Sequence, residues 1–297
     1  MAFQKATRKR AFLKVALSGP TGCGKTMSAL RIAKGLAADG RIAFVDTENR
    51  SASLYAGYEL TDTRGGVVYK TDFDVMDVVP PYTVEQFTQA IKDAKGAGYS
   101  VLIIDSFSHC WEAVLAMKEV LDRMGGNSYT NWNEAGRKYA AVIDLVRNVD
   151  MHVIVCMRSK MEYVLELNDK GKQVPRKVGL APIARDGTEY EFSTMFEIGM
   201  DHRARDTKGR LSHITGGDAI LLTEEVGHKL LQWVSEGEEI KLVETWNDEL
   251  RAKANALVVE LEKLVGNRNL VSELKSRGVS PSEVIAALEA AIAGASK

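Results

Sequence analysis

The sequence predicts an α/β protein with a mainly parallel central sheet flanked by helices on both faces, followed by a small C-terminal helical appendage. Short apolar runs rich in strand formers alternate with segments of helical spacing through the first half of the chain, whereas the last segment carries Leu and Ala at helical spacing only. Such alternation is typical of βαβ units. We expect a basic N-terminal arm at 1–11, a core at 12–235 and a helical region at 240–297.

The elements of this core are expected in a definite order. Buried strands are predicted at 12–18, 41–46, 101–105 and 152–157, and helices at 26–38, 84–94, 111–124 and 133–149. A polar segment at 159–190 contains two strand-like pieces, 163–167 and 173–178. Strand patterning then returns at 194–200 and 211–214 on either side of a charged turn, and helical periodicity begins again at 244.

Composition excludes several classes of protein. The 297 residues carry 39 Lys and Arg against 40 Asp and Glu, which argues against a histone-like polycation. Three scattered cysteines and five scattered histidines show neither disulfide nor zinc spacing, and an odd cysteine count fits a reducing compartment. There is no apolar run of signal-peptide or membrane-spanning length. We therefore expect a soluble, cytoplasmic protein without a membrane partner.

A phosphate-binding loop is the most specific motif. Residues 19–26 read GPTGCGKT, which fits GxxxxGK[ST] between a predicted strand and a predicted helix. In such loops main-chain amides and the helix N-terminus bind phosphate, the lysine reaches the β- and γ-phosphates, and the hydroxyl ligates Mg²⁺. The motif predicts ATP and Mg²⁺ as ligands and a nucleotide site formed by Gly19, Pro20, Thr21, Gly22, Cys23, Gly24, Lys25 and Thr26.

Two acidic residues follow predicted strands and complete the expected site. Asp105 ends the apolar run VLIID, where its carboxylate is placed to hold the magnesium together with Thr26; capping of the next turn is the alternative. Glu48 lies just past the strand at 41–46, where a carboxylate can orient and deprotonate the attacking water. A solvated loop acid is the alternative for Glu48. Lys25 and Glu48 are thus the predicted catalytic residues.

The segments GPTGCGKT, RIAFVDTENRSASLYA, VLIIDS and HVIVCMRSK together resemble the ATPase core of RecA-type recombinases. Within that class they are most similar to phage-encoded minimal RecA-core ATPases of single-strand annealing and recombination modules. The resemblance covers residues 12–220. It implies a RecA-like P-loop NTPase fold and ATP hydrolysis with Glu48 as the catalytic glutamate. It also implies binding of single-stranded DNA in phage recombination or replication, by a homo-oligomer with nucleotide at its subunit interfaces.

The sequence departs from this family at the end of the fourth core strand. RecA proteins carry there a glutamine that senses the γ-phosphate and couples it to the DNA-binding loop. Here the segment reads CMRSK, so Arg158 and Ser159 stand at or beside the sensor position. The large N-terminal oligomerisation domain of RecA has no counterpart before residue 12, and any oligomer is expected to use other contacts.

The resemblance also implies where DNA and a neighbouring subunit would be contacted. One expected loop, 125–135, offers Tyr129 and Trp132 for base stacking; the alternative is a polar loop with an aromatic packed in the core. A second loop follows residue 158, and segment 158–185 has a net charge of +4; its alternative is a solvated hairpin. The expected DNA contacts there are Lys172, Arg176, Lys177 and Arg185. The expected trans-acting cation is one of Arg203, Arg205, Lys208 and Arg210, and a plain surface turn is the alternative for each of them.

Other functions remain open at this point. The basic run at 5–14 is either a nucleic-acid arm or a solubilising tail, and the C-terminal helices either pack internally or recruit a protein partner. The alternative functions are a hexameric helicase or translocase, a nucleotide-switched loader or regulatory protein, and a metabolic kinase.

Overall fold

The computed structural model describes residues 11–61, 68–125, 127–167, 173–235, 248–265 and 281–295. The chain divides into two units, 1–238 and 239–297. Within the described part of the first unit, nine strands form one sheet. They are β1 (Lys14–Gly19), β2 (Ile42–Asp46), β5 (Asp74–Asp77), β6 (Val101–Asp105), β7 (His152–Leu167), β8 (Gln173–Pro182), β9 (Thr194–Ile198), β10 (Arg203–Asp206) and β11 (Ile220–Leu221). Strands β3 (Glu59–Thr61) and β4 (Val68–Lys70) form a separate antiparallel pair.

The sheet is mainly parallel, as predicted. Its order is β11-β10-β9-β1-β7-β6-β2-β5, and the six strands from β9 to β5 run parallel, while β10 and β11 continue antiparallel. Only the first part of β7 pairs with β1; its continuation pairs with β8 as an antiparallel hairpin. The two strand-like pieces expected after residue 159 therefore form this hairpin.

Helices cover both faces of the sheet, which confirms the predicted fold class. They are α1 (Lys25–Ala37), α2 (Val84–Gly96), α3 (Ser108–Met124), α4 (Ser128–Asn148), α5 (Ser212–Thr215) and α6 (Glu224–Ser235). Apolar side chains of α1 and α6 pack on one face, and those of α2, α3 and α4 on the other. Apart from the edge strand β5, the parallel strands are buried on both faces, which explains why they are continuous apolar runs rather than alternating patterns.

The second unit contains α7 (Asp248–Val265) and α8 (Pro281–Ala295), which pack against each other. Ala254 of α7 and Val284, Ile285 and Leu288 of α8 are buried in this contact. The helical periodicity from residue 244 is thus found in these two helices, and its part at 266–280 lies outside the described residues. Among the described residues, no helix has the length and apolar character needed to cross a membrane.

Three expectations about local structure are wrong. The segment 125–135 is not a loop, because α4 begins at Ser128, where the side chain of Asn127 accepts a hydrogen bond from the amide of Tyr129 at 2.8 Å. Residues 211–214 do not form a strand, since the chain turns there into the short helix α5. The charged stretch expected as a turn begins as a strand, because Arg203–Asp206 form β10. The helix α6 and the edge strand β5, whose four residues are exposed, have no counterpart among the predicted elements.

Glu224 is a buried charge that joins three elements of the first unit. Its carboxylate, 1% exposed, accepts hydrogen bonds from Arg31 Nε at 2.8 Å and Nη2 at 2.7 Å, and from the hydroxyl of Tyr69. Burial raises the pKa of Glu224, but the hydrogen bonds from Arg31 and Tyr69 outweigh this effect and hold the pKa below its usual value. One ionised group thereby ties α1 and β4 to the start of α6.

We expect Glu224→Ala to lower the free energy of unfolding by about 3 kcal/mol, because it leaves the half-buried charge of Arg31 without its partner. Chemical denaturation followed by circular dichroism measures the change. Glu225→Ala is the matched control, since the ion pair of Glu225 with Lys229 at 2.9 Å is exposed and its loss should cost less than about 1 kcal/mol. Equal losses in the two variants would contradict the structural role of Glu224.

Candidate nucleotide site

The glycine-rich loop joins β1 to α1 at the carboxyl edge of the sheet. Gly22 has φ 82° and Gly24, which precedes α1, has φ 90°, a left-handed conformation that favours glycine. A Cβ atom on Gly19 would lie 2.5 Å from Cys23 Sγ and 2.6 Å from the carbonyl oxygen of Ile198. These positions need glycine, and they curl the main chain around the N-terminus of α1.

Lys25 lies inside this loop. Its ammonium donates to the carbonyl oxygens of Gly19 at 3.0 Å and Pro20 at 2.9 Å, and the residue is 9% exposed. The cation is thus held at the helix N-terminus, where the loop amides and the helix dipole already favour an anion. This arrangement provides a concentrated positive potential for phosphate groups.

Thr26 and Asp105 form the second half of the site. The hydroxyl of Thr26 donates to Asp105 Oδ2 at 2.6 Å, although the two residues are 79 positions apart. Asp105 is 3% exposed, and burial raises its pKa to about 6, while the hydrogen bond from Thr26 acts in the opposite direction. A buried carboxylate whose charge is disfavoured in this way would be stabilised by a cation.

The residues present fit ATP and Mg²⁺. Mg²⁺ prefers oxygen ligands and is commonly held by one or two protein oxygens together with phosphates and water. The adjacent oxygens of Thr26 and Asp105 match that donor set, and the described residues contain no cluster of three or more His, Cys, Asp or Glu that would form an all-protein cage. The glycine-rich loop directly precedes Thr26 and supplies main-chain amides for phosphate.

Glu48 lies on a turn that is fixed by Asp46. The carboxylate of Asp46, 1% exposed, accepts from the amides of Glu48 at 2.6 Å and Ala52 at 2.7 Å. Asp46 is paired in register with Asp105 on the neighbouring strand, so the turn carrying Glu48 starts beside the Thr26–Asp105 pair. The negative charge of Glu48 also contributes to the raised pKa of Asp105.

Arg158 holds the side chain of Glu48. Arg158 Nε donates to Glu48 Oε1 at 3.0 Å, and both side chains are half-buried. The main chain of Arg158 lies opposite Gly19 in the β1–β7 register, and its amide donates to Ser108 Oγ at 3.0 Å. Ser159 follows and already pairs with Pro182 of β8. Arg158 is therefore the last residue of the central sheet before the hairpin.

The described residues predicted for DNA contact lie on α4, on β8 and in the segment after the hairpin. Tyr129 is exposed on α4, and Trp132 packs edge-to-face on Trp111 with ring centroids 5.9 Å apart. Arg185 follows the hairpin and contacts the carbonyl of Gly136 at 3.4 Å. Arg176 and Lys177 lie on β8, and Lys172 lies outside the described residues.

The four predicted trans-acting cations lie on β10 and the turn after it. Lys208 is bound within its own chain, since its ammonium donates to the carbonyls of Glu189, Tyr190 and Phe192 at 3.0, 3.1 and 2.6 Å. Arg203 donates to the carbonyl of Ala219 at 3.1 Å. Arg205 and Arg210 are exposed.

Several residues at the site have little or no recognisable motif in the sequence. Asp46 could be identified as a site residue from the sequence, because it ends an apolar strand. No local sequence pattern identifies Thr47, Tyr82 or His109. The same holds for His202, whose Nδ1 lies 3.0 Å from the carbonyl oxygen of Cys23 in the phosphate loop. A cavity of about 530 Å³ opens beside this group and is lined by residues that include Glu48, Asp77, Tyr82, His109 and Arg158.

The strand, glycine-rich loop and helix of residues 14–37, with a strand-terminal aspartate on the loop threonine, define a P-loop NTPase fold. A match over residues 11–228 to the model of the AAA domain family covers well over half of the chain, and the protein belongs to that family. No curated protein shows significant similarity to the chain.

Three solved structures are similar to this chain at low sequence identity. The RadB recombinase is 16% identical, with 62% of this chain and 73% of that chain covered and a TM-score of 0.33. The genome packaging NTPase B204 from Sulfolobus turreted icosahedral virus 2 is 15% identical, with coverages of 76% and 86% and a TM-score of 0.34. A KaiC-like protein from Pyrococcus horikoshii OT3 is 16% identical, with coverages of 66% and 78% and a TM-score of 0.32.

Proposed function

We propose that this protein binds ATP with Mg²⁺ and hydrolyses it. The observation that carries the proposal is the meeting of three segments at one edge of the sheet. Lys25 lies within the glycine-rich loop, Thr26 bonds Asp105, and Glu48 lies on the adjoining turn. A phosphate-release assay tests the proposal: loss of turnover on replacement of Lys25 or Glu48 supports it, and turnover that persists in both variants contradicts it.

Each of these groups has a distinct task in hydrolysis. Lys25 and the loop amides bind the β- and γ-phosphates. Thr26 and Asp105 would hold Mg²⁺, which would neutralise part of the phosphate charge. Glu48 orients a water for in-line attack on the γ-phosphorus and accepts its proton. The bond from the γ-phosphorus to its bridging oxygen breaks, and ADP and inorganic phosphate leave.

Arg158, together with Ser159, takes the sensor position in this proposal. Its guanidinium holds Glu48 at 3.0 Å, and its main chain continues directly into the β7–β8 hairpin. A displacement of the hairpin would therefore move the group that orients Glu48. This arrangement supports a link between whatever the hairpin binds and the activation of water.

We further propose single-stranded DNA as the partner of the hairpin. The hairpin leaves the sheet at the carboxyl edge where the nucleotide site lies, and segment 158–185 is strongly positive in a chain of net charge −1. Positive side chains on such an extension bind a phosphate backbone with release of counterions. The exposed ring of Tyr129 offers a stacking surface, while the packing of Trp132 on Trp111 makes it the weaker candidate.

Joint replacement of Lys172, Arg176 and Lys177 by Gln is expected to weaken binding of single-stranded DNA. Because about 0.7 counterions are released per phosphate contact, the slope of log affinity against log salt should fall by roughly 2. Fluorescence anisotropy of a labelled oligonucleotide over a range of salt concentrations measures this slope. The matched control replaces the exposed residues Lys34, Lys92 and Arg123 by Gln. This control removes the same net charge from a different part of the surface. An unchanged slope in the hairpin variant would place the DNA site elsewhere.

The proposed assembly is a homo-oligomer with nucleotide at the subunit interfaces. Of the four candidate cations, Arg205 and Arg210 keep exposed side chains for a neighbouring nucleotide, whereas Lys208 is bound to three carbonyls of its own chain. The second unit, with α7 and α8, is the proposed contact for a protein partner.

A further inference from the structure

Thr47, the residue before Glu48, is fixed on every side. Its amide donates to the carbonyl of Asp105 at 2.8 Å, and its carbonyl accepts from the hydroxyl of Tyr82 at 2.8 Å. Its side-chain oxygen accepts from the amide of Ser106 at 2.7 Å, and the residue is 2% exposed. Thr47 therefore stands between Asp105 on one strand and Glu48 on the next turn.

His109 completes this arrangement. Its Nδ1 lies 2.6 Å from Thr47 Oγ1, whereas the other acceptor within reach of the hydroxyl, the carbonyl of Ser106, lies at 3.3 Å. Because Nδ1 is the nearer of the two acceptors, we assign the hydroxyl hydrogen to His109 Nδ1 and the ring proton to Nε2, which faces Glu112 Oε2 at 4.0 Å. Burial, and after it the charge of Arg158, lowers the pKa of His109, in agreement with a neutral ring.

The ring of His109 has little freedom to turn. It stacks on Tyr82 with centroids 4.5 Å apart and an angle of 9° between the planes, and it is 5% exposed. The same Tyr82 donates to the carbonyl of Thr47, so two side chains from different segments meet on one residue. The opposite side of the turn is held by Asp46 through the amides of Glu48 and Ala52.

We propose that His109 is a positioning residue for the water-orienting carboxylate: by accepting the Thr47 hydroxyl, it sets the turn that carries Glu48 at a fixed distance from Asp105. The inference rests on the proposed role of Glu48. Its physical basis is that a general base must be placed within hydrogen-bond reach of the water, and a shift of about 1 Å costs roughly 100-fold in rate. His109 touches neither phosphate nor water in this role.

The test compares two variants of His109. His109→Phe keeps a planar ring for stacking on Tyr82 but removes the acceptor, and we expect kcat to fall about 10- to 100-fold with KM and nucleotide affinity changed less than about twofold. His109→Asn puts an amide oxygen near the position of Nδ1 and should restore most of kcat. Thermal melting of both variants shows whether they remain folded. Equal kcat in His109→Phe and the unmodified protein would overturn the inference.

The Thr47 variants keep the test decisive if His109→Phe is unstable, and where His109→Phe is folded a double-mutant cycle tests the contact itself. Thr47→Val removes the hydroxyl at nearly constant volume, and Thr47→Ser keeps it, so only the first should lower kcat. The double variant of Thr47→Val and His109→Phe should lose no more than either single variant; additive losses would overturn the proposed contact. Turnover that persists in Glu48→Gln would contradict the proposed function. If Glu48→Gln loses turnover while Thr47→Val and His109→Phe both keep the kcat of the unmodified protein, only the positioning role of His109 is contradicted.

Discussion

Lys25→Ala is expected to abolish ATP turnover while the protein remains folded. The ammonium lies in the phosphate loop against two carbonyls, and removal of a preorganised cation at the transferring phosphoryl group should lower kcat/KM by roughly 10³-fold or more. The fold should persist, because a cation at a helix N-terminus opposes the helix dipole and alanine is a strong helix former. Phosphate release measures turnover, and circular dichroism with thermal melting measures folding.

Lys34→Ala serves as the control for this substitution. Lys34 lies on the same helix, α1, but near its C-terminal end and exposed to solvent. Its replacement removes the same charge from the chain and should leave turnover unchanged. Full turnover by Lys25→Ala in a folded protein would refute the assignment of the phosphate site.

Glu48→Gln is expected to stop hydrolysis without loss of nucleotide binding. The amide keeps the shape of the side chain and an oxygen that can accept from Arg158 Nε, but it cannot take a proton from water. Loss of a general base lowers kcat by about 10²- to 10⁴-fold. Titration with a fluorescent ATP analogue should give an affinity within a fewfold of the unmodified protein, while single-turnover hydrolysis is slow.

The control for Glu48→Gln is Glu119→Gln on α3, which neutralises an exposed acid whose ion pair with Arg123 is 3.6 Å long. It should change neither binding nor turnover. Two results would contradict the role of Glu48: undiminished hydrolysis, which would require another group to orient the water, or a loss of affinity as large as the loss of rate.

Much of the candidate site was accessible from local sequence. Gly22 and Gly24 adopt left-handed conformations that glycine favours, and the strand before them and the helix after them follow from apolar spacing. Asp105 ends a buried parallel strand, and Glu48 follows another. Since the carboxyl ends of parallel strands meet at one edge, the sequence alone predicts that both acids approach the loop.

The segment around Tyr129 shows where such reasoning fails. A run of Gly, Asn and Ser is typical of a loop, and 125–135 was predicted as one. Asn127 instead caps α4, and Trp132 gains a partner in Trp111 on a different helix. A side-chain cap and a tertiary aromatic contact outweigh the low helix propensity of the first turn.

The chain by itself thus specified the phosphate loop, the parallel sheet and the two acids near it, because glycine conformations and strand ends depend on neighbouring residues. Tertiary structure alone decided that Arg158 holds Glu48 across 110 positions, that His109 meets Thr47, and that Lys208 is bound to its own chain. These contacts depend on strand order and side-chain packing, which bring together residues that are distant in the sequence. The local sequence around one residue of such a pair does not indicate its partner.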